Sequence, residues 1–145
     1  MRAIVQRVSQ AKVTIDDETK GEINQGLLLL VGIHKDDTEE DAKKLADRVV
    51  GMRIFNDESG KINLAIKAVN GSILAISNFT VYGDPTQRRP SFTASAGYEA
   101  GKALFDRFLA ELRGFEIKVE TGEFGADMKV FLVNDGPVTL VADTR

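Results

Sequence analysis

The sequence contains no cysteine and a single histidine, His34. Disulfides, thiolate nucleophiles and cysteine-based metal sites are thereby excluded, as are zinc motifs built from several histidines. A Ser-His-Asp arrangement would have only one possible base in the whole chain. Proline occurs three times, and two of the three fall in one loop, at Pro85 and Pro90. Long apolar runs are also missing. The longest, 27–33, has the length of a strand and contains Gly32, so no membrane span is expected. Residues 1–7 alternate and lack the continuous apolar stretch of a secretory leader, which predicts a cytoplasmic protein. Net charge is −3, whereas a protein that coats nucleic acid is basic; any RNA contact here is expected to be local and small.

What is present is an ordinary globular composition over 145 residues, enough for one domain (1–145) with a real core. Residues 2–8 alternate, with Arg2, Ile4, Gln6 and Val8 on one face and Ala3, Val5 and Arg7 on the other. An arginine among apolar neighbours is either an exposed strand end or a group held inward to anchor a loop or an anion. A second strand is predicted at 12–16 and another near 22–23. The continuous apolar run 27–33 reads as a central strand covered on both faces.

Thr38-Glu39-Glu40-Asp41 has the form of a capping box, and Ala42, Leu45, Ala46 and Val49 follow at helical spacing, which predicts a helix over 38–50. A strand is expected at 53–55 and a surface loop at 56–60. Asp57 and Glu58 in that loop lack the ligand spacing of a calcium site. Residues 61–69 carry no clear pattern. The segment 71–80 reads as a strand ending in polar groups, and 81–92 as an irregular loop with Arg88-Arg89. Ser95 can cap a second helix, 95–113, with the apolar stripe Tyr98, Gly101, Phe105, Phe108, Leu109 and Leu112. A strand at 116–120, a loop at 121–127 and a strand from Lys129 complete the chain. Strands outnumber helices and follow one another directly. The predicted class is α+β: largely antiparallel sheets forming a barrel-like core, with two helices packed outside.

Two stretches carry chemistry. In 132–141, two β-branched runs flank Asn134-Asp135-Gly136-Pro137, which reads as strand, tight turn, strand. Glycine lets a main-chain carbonyl approach a ligand closely, and proline stiffens the loop. A plain structural hairpin fits the same residues. The other stretch is Ser77-Asn78-Phe79-Thr80, where three hydrogen-bonding side chains end an apolar strand. Alternation would put Ser77 and Phe79 on one face and Asn78 and Thr80 on the other. By itself it is also compatible with a strand that simply becomes a loop.

Taken together, the two stretches resemble the signature motifs of the D-aminoacyl-tRNA deacylases of the bacterial and eukaryotic type. Residues 77–81 resemble that family's Ser-Gln-Phe-Thr-Leu motif, with Asn78 in place of glutamine and Val81 in place of leucine. Residues 134–139 match its Asn-x-Gly-Pro-Val-Thr motif. The opening residues 1–8, Arg53-Ile54-Phe55, Arg89-Pro90-Ser91-Phe92 and the segment 119–126 are similar to family sequence as well.

The resemblance implies a homodimer in which Gly136-Pro137 enters the partner's pocket and holds the substrate's α-ammonium with two carbonyls. No room would be left for an L side chain. Ser77, Asn78, Phe79 and Thr80 would form the catalytic pocket, Arg7 would fix the Gly-Pro loop, and Phe124 and Met128 would hold the terminal adenosine. The implied substrates are the 3′ ends of D-aminoacyl-tRNA and of Gly-tRNA, with no cofactor, no metal and no membrane partner. Either Thr80 or the 2′-hydroxyl of the tRNA would assist the attack. An alternative from a different class is a homo-oligomeric module that binds nucleotides or aminoacyl groups without turnover.

Overall fold

Apolar alternation at the N-terminus produces one long strand, β1 (Arg2–Ile15), in the computed structural model, which describes residues 1–145. It is continuous where two strands, 2–8 and 12–16, were expected. A one-residue bulge at Ser9 explains the difference, because Val8 pairs with Asn134 while Gln10 pairs with Val133. The bulge reverses the side-chain parity. Ala3 and Val5 therefore join the main core, while Ala11 and Val13, also odd-numbered, join a smaller cluster on the other face.

The chain continues through β2 (Glu18–Ile23) and β3 (Gly26–Gly32), both antiparallel to β1. In β3, Leu27, Leu29 and Val31 face the main core and Leu28 faces the smaller one, so both faces are covered, as the unbroken apolar run predicts. Helix α1 (Glu39–Gly51) starts at Thr38 with its capping box formed by Asp41. It buries Ala42, Leu45, Ala46 and Val49, together with Val50. A two-stranded hairpin follows, β4 (Phe55–Asn56) with β5 (Ile62–Leu64), then a short 3₁₀ turn at Ile66–Val69. Strand β6 (Ser72–Ser77) runs parallel to β3.

Helix α2 (Tyr98–Arg113) begins three residues later than Ser95, and Gly97 is its N-cap. The Ser95 hydroxyl instead donates to the Phe79 carbonyl at 2.8 Å. Phe105, Phe108, Leu109 and Leu112 are buried as the stripe predicts, but Tyr98 is exposed because the first turn overhangs the core. Strand β7 (Val119–Thr121) pairs parallel with β6, and β8 (Lys129–Asp143) returns antiparallel along β1.

The main sheet has the order β2-β1-β3-β6-β7, with β8 also pairing β1. Strand β2 comes back against β6 and β7, so the sheet is nearly closed and barrel-like. Both helices pack on one face, against a core that includes Leu27, Leu29, Ile73 and Phe108. Burying each such side chain contributes about 1.5–3 kcal/mol. The class is α+β, with antiparallel pairings in the majority. No helix is long and apolar enough to cross a membrane.

Candidate active site

Strand β6 ends at Ser77, and the chain then turns into a 3₁₀ helix, Phe79–Tyr82. The strand alternation expected through Thr80 therefore stops at Asn78. Asn78 is the N-cap of the turn, and its Oδ1 accepts from the Thr80 N–H at 3.2 Å and from the Thr80 hydroxyl at 2.5 Å. This local cap is the physical reason the strand ends here, since asparagine offers the backbone an alternative to the ladder. Beneath the turn, Arg2 donates to the Val81 carbonyl at 3.3 Å and lies over the Tyr82 ring at 4.6 Å. His34 meets that ring edge-on at 5.2 Å. Burial pushes the Tyr82 phenol well above its ordinary range, and its hydroxyl has no hydrogen-bond partner in the chain.

A cavity of about 560 Å³ opens beside the turn. It brings together Ser77, Asn78 and Phe79 from one side and Phe124 and Met128 from the other. Leu30 and Ile76 from the sheet, and Gly97 and Tyr98 from the start of α2, complete much of its wall. Phe124 is held between Tyr98, which it meets edge-on at a centroid distance of 5.2 Å, and Phe105, which it meets at a tilt at 5.9 Å. The result is a largely apolar cavity with a few polar groups, Ser77 and Asn78 on one side and Asp127 beside Met128 on the other, the form suited to a ligand with a flat ring and polar substituents. Thr80 does not line it. Its hydroxyl proton is directed at the Asn78 amide oxygen, which is no general base.

Gly136 and Pro137 do not line this cavity either. The expected hairpin is absent: β8 keeps its direction, and the chain bulges outward between two paired positions. Thr139 pairs with Gln6 and Asn134 with Val8, so four residues, 135–138, stand opposite Arg7 alone. The same turn formers serve a bulge because a pairing strand, β1, continues on both sides of them. Asn134 closes the base, donating from Nδ2 to the carbonyls of Arg7 and Val138, both at 3.0 Å. The Thr139 hydroxyl donates to Asn134 Oδ1 at 3.2 Å. Asn134 and Thr139 belong to the motif read from the sequence but were given no role there, although their placement at its two ends was the available signal.

The Gly136-Pro137 peptide is cis, and Gly136 has φ +129°. A Cβ there would lie 2.9 Å from Arg7 Nη2 and 3.0 Å from the Val138 nitrogen, so only glycine fits without strain. Arg7 is 6% exposed and is the inward anchor of the two alternatives that alternation left open. Its Nε donates to the Asp135 carbonyl at 3.0 Å, with the Asp135 carboxylate 3.6 Å away.

The family model described as "D-Tyr-tRNA(Tyr) deacylase" matches residues 4–143. The chain belongs to that family. It is 57% identical to a protein of Thermotoga petrophila named "D-aminoacyl-tRNA deacylase", over 99% of this chain and 97% of the relative. A protein of the same name from Geobacter sulfurreducens is 51% identical, over 100% of this chain and 96% of the relative. Among solved structures, one described as "c-Myc DNA Unwinding Element Binding Protein" is similar with a TM-score of 0.95 at 33% identity, covering 100% of this chain and 99% of that one. Another, described as a probable eukaryotic D-amino acid tRNA deacylase, shares the fold with a TM-score of 0.85 at 18% identity, covering 98% of each chain.

Proposed function

We propose that this deacylase-family chain hydrolyses the ester of D-aminoacyl-tRNA in the cytoplasm, and that its site is completed across a homodimer. The observation that carries the second part is the separation of the two motifs within one chain. The cavity wall from β8 ends at Val130, and Asn134, where the bulge begins, lies four residues further along, about 13 Å at the rise of a strand. The outward loop is flanked on the same strand by exposed Phe131, Val133, Leu140 and Val141. Exposed apolar side chains gathered on one strand suit a second copy of the chain.

In this reading the terminal adenosine lies against Phe124 and Met128, and the scissile ester reaches Ser77, Asn78 and Phe79. The partner's Gly-Pro carbonyls accept from the α-ammonium. An L side chain would collide with that backbone, while a D side chain points away. An aminoacyl ester is already activated, so its hydrolysis needs positioning, a water and oxyanion stabilisation rather than a strong base. Because the Thr80 N–H and hydroxyl are both committed to Asn78, the reading favours the substrate's 2′-hydroxyl as the group assisting the water. The Phe79 N–H is then the nearest oxyanion donor in the turn.

The test is deacylation of D-Tyr-tRNA, Gly-tRNA and L-Tyr-tRNA in EDTA. The D and glycyl esters are expected to be lost and the L ester to survive a large excess of enzyme. D-Tyr-tRNA that stays intact while bound would instead indicate a binding module without turnover.

A further inference from the structure

The β4–β5 hairpin lies apart from the main sheet and contributes nothing to the cavity wall. Phe55 packs into the main core, and the hairpin's hydrogen bonds reach Arg7. A nearly buried guanidinium needs its donors matched by acceptors, and the positions of those acceptors fix its orientation. Two come from this hairpin and its approach: Nη1 donates to the Ile54 carbonyl at 2.9 Å and to Asn56 Oδ1 at 3.1 Å. The remaining direct bond, from Nε to the Asp135 carbonyl, holds the Gly-Pro bulge. Arg7 is thus a strut between β4 and the bulge, and Gly136 rests directly against its Nη2 end.

The hairpin is braced so that it can bear on this strut. The Asp57 carboxylate accepts from the N–H groups of Ser59 and Lys61 at 2.9 and 3.0 Å, and from Asn63 Nδ2 at 3.2 Å. Arg53 donates to both the carbonyl and the side-chain oxygen of Asn63. Asn56 is the one side chain through which this braced unit meets Arg7. We propose that Asn56 is a specificity-determining positioning residue: it sets the guanidinium that sets the Gly136-Pro137 loop, and so controls discrimination between D and L esters. This rests on the reading of that loop as the chiral selector.

The test compares Asn56→Leu, which keeps the size and removes the acceptor, with Asn56→Asp, which keeps an acceptor. Two quantities are read: the ratio of kcat/KM on D-Tyr-tRNA to that on L-Tyr-tRNA, and hydrogen exchange at the amides of Asp135, Gly136 and Val138. Loss of one bond to a charged group predicts a fall of about tenfold or more in the ratio for Asn56→Leu, with exchange at the bulge faster by a similar factor. Exchange in β6 stays unchanged, and Asn56→Asp keeps both readouts near those of the unaltered protein. Equal loss on both esters, or unchanged exchange at the bulge, overturns the proposal. If the unaltered protein fails to deacylate D-Tyr-tRNA, the functional reading falls, and the exchange measurement alone decides whether Asn56 positions the loop.

Discussion

The cavity and the Gly136-Pro137 bulge are built on opposite terms. The cavity is concave, sunk between the two core clusters, and lined by segments that the sheet and α2 hold from several directions. The bulge is convex, carried on a strand with exposed apolar side chains, and held from behind by Arg7 and Asn134. In the proposed dimer, one region receives and the other is received. A site divided in this way can combine a deep pocket with a rigid probe that no loop of the same subunit has to bend back to supply.

The sharpest break of this comparison is Gly136→Ala. The added methyl meets Arg7 and Val138 at a φ that L residues rarely adopt, so the probe must shift while the cavity stays intact. Misplacement on this scale predicts a fall of about 100-fold in single-turnover deacylation of D-Tyr-tRNA, with an unchanged circular dichroism spectrum. Mixing it with Phe79→Ala, which damages only the cavity, tests the division itself. Exchange of subunits would restore about a quarter of the starting activity, because half the dimers would hold one intact site of two. No recovery after subunit exchange would place both halves in one chain.

On the receiving side, Thr80→Ala is expected to retain activity within about tenfold, since a covalent nucleophile would lose several orders of magnitude. The hydroxyl lost is the one bound to Asn78, outside the cavity wall. A folded but inactive variant would make Thr80 part of the chemistry. Smaller still is the effect expected beneath the same turn. Tyr82→Phe removes a buried hydroxyl without a partner, and a neutral or stabilising change of about 1 kcal/mol is expected in chemical denaturation.

The smallest effect concerns the brace behind the bulge. Bonds from the Lys61 N–H, then from Asn63 and Ser59, hold the Asp57 carboxyl below its ordinary 3.8 even though partial burial opposes this. A group with a depressed folded pKa stabilises the fold above its unfolded value, and that contribution is lost as pH falls through the folded value. Melting curves of the unaltered protein and Asp57→Asn should therefore differ at neutral pH and converge below pH 3.8. A constant gap down to strong acid would remove Asp57 from the brace.

Much of this division was legible residue by residue. The alternation that set Arg7 among apolar neighbours was enough to suspect an inward anchor, and the resemblance of residues 134–139 to a family motif drew attention to the Gly136-Pro137 turn. The form of the probe was not legible. A hairpin and a bulge use the same turn formers, and what separates them is a partner strand more than a hundred residues away. Asn56 was hidden for the same reason, as its contact with Arg7 joins two elements that no local pattern connects. Tyr98 fits the helical period, but a period does not say where a helix leaves the core. The extended reading of 77–80 failed because the Asn78 side chain caps the backbone locally, an effect that alternation does not contain.

The pairing of β1 with β8 also bears on how the molecule comes into being. The first strand lies against the last along nearly its whole length, from Arg2 opposite Asp143 to Thr14 opposite Lys129. Contacts so distant in sequence close late and slow the folding of small domains. During synthesis from the N-terminus, β1 can meet β2 and β3 early, but its other edge stays open until the final strand emerges. The helices and much of the cavity wall precede that moment, whereas the Gly-Pro bulge exists only as a misfit in the closing ladder. The Gly-Pro loop is therefore assembled by the same event that seals the nascent chain's exposed edge, so in the proposed dimer a chain that has not finished folding has no loop to offer a partner.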